Sequence, residues 1–194
     1  MYICLLGPHG VGKTTLAKTL SHLSGAAYRE ELGRVLRDEA LALDPDATAL
    51  RFDADFDRRV IEGDLQRDAR PWPARCVLET WHPGNFGYAR VRSPEVAARF
   101  ESAARRHALA LTARGLVVQP LTAHREVLRA RLGEPGGTED ERLDFFRHVA
   151  NEGVRVARSW GLRVLPALDT GDECPESLAL RILGRAECDA TSRI

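Results

Sequence analysis

The chain has 194 residues, 44% of them apolar and 29% charged, with 28 basic and 28 acidic side chains. Charge balance excludes a broad basic face for duplex nucleic acid, and ordinary composition at this length excludes disordered and fibrous classes. A single domain over residues 1–194 is expected, with a core that needs no disulfide or metal. The cysteines at 4, 76, 174 and 188 form no CxxC pair, so no zinc knuckle or disulfide framework follows. The apolar run at 1–6 is too short for a signal peptide and no run reaches membrane-span length, so a cytoplasmic chain with no membrane partner is expected.

Along the chain, short apolar runs alternate with helical patterns. "YICLL" (2–6) reads as a strand and 13–24 as a helix; a weaker strand at 26–29 precedes helices near 30–43 and 53–69. "RCVLE" (75–79) is the next strand. A helix at 94–113 follows, entered through Ser93-Pro94-Glu95, an N-cap followed by proline in the first turn. "GLVVQPL" (115–121), a helix near 123–132 and a helix at 139–159 come next. The last of these opens on the capping box Thr138-Glu139-Asp140-Glu141 and stops at Gly161. "LRVLPAL" (162–168) and a helix at 175–186 complete the pattern. Strands alternating with helices imply an α/β fold: a parallel sheet with helices on both faces, whose ligands sit beyond the carboxyl ends of the strands.

Directly after the first strand stands "GPHGVGKT" (7–14), a full GxxxxGK[ST] phosphate loop with a helix behind it. Gly7, Gly10, Val11, Gly12, Lys13, Thr14 and Thr15 are the expected nucleotide-binding residues. The glycines let successive N–H groups face phosphate oxygens, Lys13 reaches the β- and γ-phosphates, and Thr14 holds Mg²⁺. Only Lys13 and Lys18 are lysines among the 28 basic residues. A chain that otherwise uses arginine thus keeps a compact ammonium where it must curl into a loop. ATP and Mg²⁺ are the expected cofactors, and no NKxD tetrad is present to read guanine. The fold class expected is the three-layer P-loop NTPase fold with a five-stranded parallel sheet and a lid.

In chain order, further segments resemble the thymidylate kinases among the nucleoside monophosphate kinases. "YREELGRVLRDEAL" (28–41) resembles their Arg-Glu-Pro-Gly stretch through Arg29 and Glu30. Asp57-Arg58 resembles the Asp-Arg of their substrate helix. "LETWHPGNFGYA" (78–89) resembles their Asp-Arg-Tyr…Ala-Tyr-Gln segment, and "LDFFRHVANEGVRVA" (143–157) their helix after the lid. The resemblance implies an acceptor site built from Arg29, Glu30, Arg58, Trp81, Asn85 and Tyr88, with Phe52 or Phe56 stacking on a base. It also implies Glu79 as a catalytic, Mg²⁺-linked carboxylate, and dimerisation is common in that family. The departures are on the acceptor side. His9 stands where an acidic residue is usual, Thr80 replaces a phosphate-gripping arginine, Glu31-Leu32 replaces Pro-Gly, and Ala89 replaces Gln. Thr cannot mimic a bidentate fork. His9 is either a solvent-facing loop residue or a contact to the acceptor.

"RLGEPGGTEDER" (131–142) reads as the lid, a Gly/Pro hinge whose flanking Arg131 and Arg142 would place charge on the γ-phosphate. The expectation is an ATP-dependent phosphotransferase acting on a small nucleotide- or nucleoside-like acceptor. A kinase of a non-nucleotide small molecule and a non-catalytic ATP-binding or ATPase module stand as alternatives.

Overall fold

The computed structural model describes residues 1–43, 53–132, 139–171 and 173–191. Its framework is a five-stranded, all-parallel sheet in the order β2-β3-β1-β4-β5. The strands are β1 (Tyr2–Leu6), β2 (Ala27–Arg29), β3 (Cys76–Glu79), β4 (Leu116–Thr122) and β5 (Leu168–Asp169). The helices are α1 (Lys13–Ser24), α2 (Leu32–Leu43), α3 (Ala54–Asp68), α4 (Trp81–Arg92), α5 (Pro94–Thr112), α6 (Arg125–Leu132), α7 (Glu139–Ser159) and α8 (Pro175–Thr191).

Every residue of β1 is buried, as a central parallel strand covered on both faces requires. Its alternation divides the core. Tyr2, Cys4 and Leu6 pack with Ile61, Phe86, Ala104, Ala108 and Trp160 on one face. Ile3 and Leu5 pack with Leu16, Leu20, Leu178 and Ile182 on the other. The parallel strands, the helices on both faces and the inert burial of Cys4 and Cys76 agree with the sequence reading.

Three differences have local causes. Residues 81–92, expected only as a post-strand segment, form α4 despite Pro83, Gly84 and Gly87. Pro83 falls in the first turn, where its missing N–H costs nothing. Gly84 and Gly87 serve packing: a Cβ on Gly87 would lie 2.6 Å from the Val149 carbonyl oxygen and 2.7 Å from the Gly153 nitrogen. The last strand is shorter than 162–168. Val164 bridges Val118, and Leu165 N–H donates to Val118 O at 2.8 Å, but Pro166 interrupts the ladder before Leu168. At the start of α5 the Ser93 hydroxyl does not cap; it donates to the buried Asp57 carboxylate at 2.6 Å, beside Arg92. The cap that sequence reading missed is Asp53, which accepts from Asp55 N and Phe56 N, both at 3.1 Å. Thr138 of the expected capping box lies outside the described residues, as does the middle of the expected lid.

The α4–α7 contact yields a stability prediction. Gly87→Ala places a methyl against backbone atoms that cannot rotate away, so a loss of about 1–3 kcal/mol is expected in urea unfolding. A midpoint equal to that of the parent chain would contradict this close approach.

Candidate active site

The phosphate loop leaves β1 at the centre of the sheet and turns into α1 through Gly10 (φ 78°) and Gly12 (φ 90°), both in the left-handed region. Only glycine adopts these angles without strain. Gly7 is needed for space, since a Cβ there would lie 2.8 Å from Leu121 O. Lys13 is buried, and its ammonium donates to the Gly7 and Pro8 carbonyls at 2.9 and 3.1 Å. The loop curls around its own lysine with the N–H groups of the α1 N-terminus open to an anion.

Glu79, buried at the carboxyl end of β3, faces this loop. Thr14 Oγ1 donates to Glu79 Oε1 at 2.5 Å, and Tyr28 OH, from the middle of β2, donates to Glu79 Oε2 at 2.6 Å. Burial, together with the bond to Glu79, pushes the Tyr28 phenol up to about 12, so it remains a neutral donor. From α2, Arg34 donates to Thr14 Oγ1 at 2.7 Å and to Tyr28 OH at 3.1 Å, and pairs with Glu79 at 3.4 Å.

Glu79 owes its position to a strained junction. Thr80 (φ 64°) and Trp81 (φ 39°) are both left-handed without being glycine, at a cost on the order of 1–3 kcal/mol each. The surroundings impose it. Thr80 N–H donates to Leu5 O at 3.0 Å, Thr80 Oγ1 donates to Glu31 Oε2 at 3.0 Å, and the Trp81 indole N–H donates to Asp68 at 3.2 Å.

These residues border a cleft of about 510 Å³ that runs from the phosphate loop in two directions. One wall is Glu31, directly before α2, with Arg34 and Arg37 of α2 and His9; the other is Arg131, Thr170, Glu173 and Pro175. Thr170 ties its wall to the loop, donating to Val11 O at 2.7 Å, while Arg131 donates to Thr170 O at 2.8 Å and to Gly10 O at 3.5 Å.

Of the expected site residues, the loop residues from Gly10 to Thr15, His9, Glu79 and Arg131 meet at this cleft, while Gly7 lies behind it with its carbonyl on the Lys13 ammonium. His9 is half-buried rather than solvent-facing, its ring 4.2 Å from Phe146 and edge-on to Tyr88 at 6.4 Å. Arg142, exposed at the start of α7, lies near enough to bear on its charge. Burial, then the charges of Lys13, Arg37 and Arg142, push the imidazole down to about 3, so His9 is neutral at physiological pH.

Other expected residues are held elsewhere. Arg29 pairs with the buried Asp68 at 2.5 Å and lies over the Trp72 ring at 3.8 Å. Trp81 is buried with its indole on the same carboxylate, which His82 also reaches at 2.9 Å. Asn85 donates to the buried Asp64 at 2.6 Å, a carboxyl that burial raises to about 6. Arg58 pairs with Asp55 and Glu62 on the outer face of α3, and Phe56 is buried. Glu30 is exposed and pairs with Arg34, leaving the cleft to Glu31. Phe52 lies outside the described residues. Glu31, Arg34, Arg37 and Thr170 are cleft residues that sequence reading missed. The first three stand at i, i+3 and i+6 from the residue that enters α2, whose carbonyl accepts from Val35 N, a spacing that puts them along one face; nothing local marks Thr170.

Thr14 and Glu79 suit a Mg²⁺ that arrives on a nucleotide. They offer two adjacent hard oxygen donors, and among the described residues no cluster of three or more acidic, histidine or cysteine ligands forms a dedicated cage. Mg²⁺ in such sites keeps waters and phosphate oxygens as its remaining ligands.

Residues 2–150 match the model of the AAA domain family AAA_28. The chain belongs to that family. No curated protein sequence matches it significantly. Among solved structures, NadR in complex with NR is similar with a TM-score of 0.67 at 21% identity, over 95% of this chain and 51% of that one. The chain therefore spans about half the length of NadR. Shikimate kinase from Aquifex aeolicus vf5 is similar with a TM-score of 0.55 at 19% identity, over 98% and 99% of the two chains. Deoxyadenosine kinase from M. mycoides with bound dCTP gives a TM-score of 0.61 at 11% identity, over 95% and 100%. At these identities the likeness shows the shared α/β P-loop fold. Among the described residues no helix is long and apolar enough to cross a membrane.

His9 gives this AAA domain a testable acid response. Its native pKa lies below the unfolded value of about 6.5, so between roughly pH 6.5 and 3 the unfolded chain takes up a proton that the native chain refuses. Stability should therefore fall as pH drops through that window, and His9→Phe should remove this contribution. Thermal melts at about pH 7.5 and 5 are expected to show a smaller Tm loss for the variant. Equal losses would contradict the buried, neutral imidazole.

Proposed function

We propose that this chain is an ATP-dependent phosphotransferase whose acceptor is the hydroxyl of a small, nucleoside-like molecule. The observation that carries the reading is the meeting of Lys13, Thr14 and Glu79 in one cleft whose far wall, just before α2, presents a carboxylate, Glu31, instead of a phosphate fork. The kinases among its structural relatives support phosphotransfer on this fold.

In the proposed mechanism the phosphates lie along the loop N–H groups. Lys13 exchanges its carbonyl partners for β- and γ-phosphate oxygens, and Arg131 supplies charge from the opposite wall. Thr14 and Glu79 would hold a Mg²⁺, which would supply charge neutralisation at the phosphates. The acceptor oxygen attacks the γ-phosphorus, the bond from that phosphorus to the β,γ-bridging oxygen breaks, and ADP leaves. The acceptor's proton passes to Glu31, oriented by the Thr80 hydroxyl. Neutral His9, with Phe146 and Tyr88, offers an uncharged wall to the acceptor body. Nothing covalent is required of the protein; positioning and electrostatics carry the rate.

A monophosphate acceptor is the second reading, favoured by Arg37, a cation on the cleft wall that pairs with its exposed neighbour Asp38 at 2.8 Å. ADP release with Mg·ATP and a panel of free nucleosides, nucleoside monophosphates and non-nucleotide polyols separates the two. Free hydroxyl acceptors are expected to stimulate release. Lys13→Ala should lower the stimulated rate by about 10²-fold or more, and Glu31→Gln should lower kcat with little change in KM. Stimulation by monophosphates alone would overturn the hydroxyl reading. A rate indifferent to every acceptor and to Lys13→Ala would overturn phosphotransfer.

A further inference from the structure

Arg34 occupies an unusual position for a cleft arginine. Its guanidinium is applied to the two oxygens best suited to Mg²⁺, 2.7 Å from Thr14 Oγ1 and 3.4 Å from Glu79 Oε2. Tyr28 OH at 3.1 Å and Glu30 at 3.4 Å complete its partners. The side chain is about one-quarter exposed, so it has a path outward into the cleft it lines. Thr14 is engaged as both donor and acceptor in this arrangement, since its hydroxyl donates to Glu79 while accepting from Arg34. A buried Glu79 carboxylate without a counter-cation would be costly, and Arg34 supplies one.

We propose that Arg34 is a resident cation that holds the Thr14–Glu79 pair until a metal–nucleotide binds and displaces it. The inference rests on the phosphotransfer reading for the identity of that ligand. A dication and a guanidinium on the same two oxygens repel each other strongly in a partly desolvated cleft. The metal therefore has to evict Arg34. Eviction swings the guanidinium toward the Glu31–Arg37 face of α2, where it can meet the γ-phosphoryl or the acceptor. Nucleotide occupancy and assembly of the acceptor wall are thereby coupled through one side chain, as linkage between two ligands requires. Arg34 is a positioning residue in this account: it acts through Thr14 and Glu79.

The test is Mn²⁺ binding to the full chain saturated with ADP, followed by electron paramagnetic resonance of the free ion, with no acceptor and no turnover. Arg34→Leu and Arg34→Gln are expected to bind Mn²⁺ about three- to tenfold more tightly than the parent chain, because a competing cation is gone. Both variants should melt at lower temperature than the parent without ligand, and the deficit should shrink with Mn·ADP. Arg34→Gln keeps an amide donor for Thr14, so it serves if Arg34→Leu does not fold. Unchanged or weaker Mn²⁺ binding by a folded variant that still binds ADP would overturn the inference. Failure of the parent chain to bind ADP at all would instead overturn the phosphotransfer reading beneath it.

Discussion

Glu79 is the constraint on which the rest of the site depends. Its carboxylate is buried at the end of β3 and joined to Thr14 of the phosphate loop, Tyr28 of β2 and Arg34 of α2. A buried carboxylate must be paired or hydrogen-bonded on every side, and the groups that meet this demand come from the phosphate loop, β2 and α2. They lock these three elements and the end of β3 into one arrangement. Two successive left-handed residues, Thr80 and Trp81, are tolerated because they hold that carboxylate in place.

The sheet order explains how so few residues assemble a cleft. With β1 between β3 and β4, the loop after β1 is flanked by the ends of two further strands, and ligands of open parallel sheets bind at such points. β3 contributes Glu79, while the β4–β5 side contributes Thr170, tied to the Val11 carbonyl. α2 closes the side where β2 ends. In the proposed reading one wall serves the nucleotide and the other the acceptor, with Lys13 between them.

What was legible in the sequence follows the range of the interactions. The phosphate loop, its strand and its helix are encoded by contiguous residues with stringent backbone demands, and Gly10 and Gly12 have the positive φ angles that the motif implies. Glu79 was legible because a strand's end is visible as the end of an apolar run. The acceptor-side assignments were harder. Arg29, Trp81 and Asn85 all lie near the expected place in the chain, yet the buried carboxylates Asp64 and Asp68 of α3 hold them. An arginine in a row of arginines carries no local mark of which carboxylate will claim it. Glu31 and Arg34 became visible only once Thr80, Thr14 and Glu79 were beside them. Helix α4 was hidden for a related reason: its proline and glycines read as a loop until α7 supplies the surface that requires Gly87.

The central claim is that the γ-phosphoryl group reaches an acceptor oxygen instead of water. Phosphorus NMR of the chain with Mg·ATP and a free nucleoside acceptor tests it most directly, because it identifies the product and not only the loss of ATP. The account predicts a new phosphate monoester resonance growing in step with ADP, with little inorganic phosphate. Inorganic phosphate as the sole product, at the same rate with and without acceptor, would contradict it.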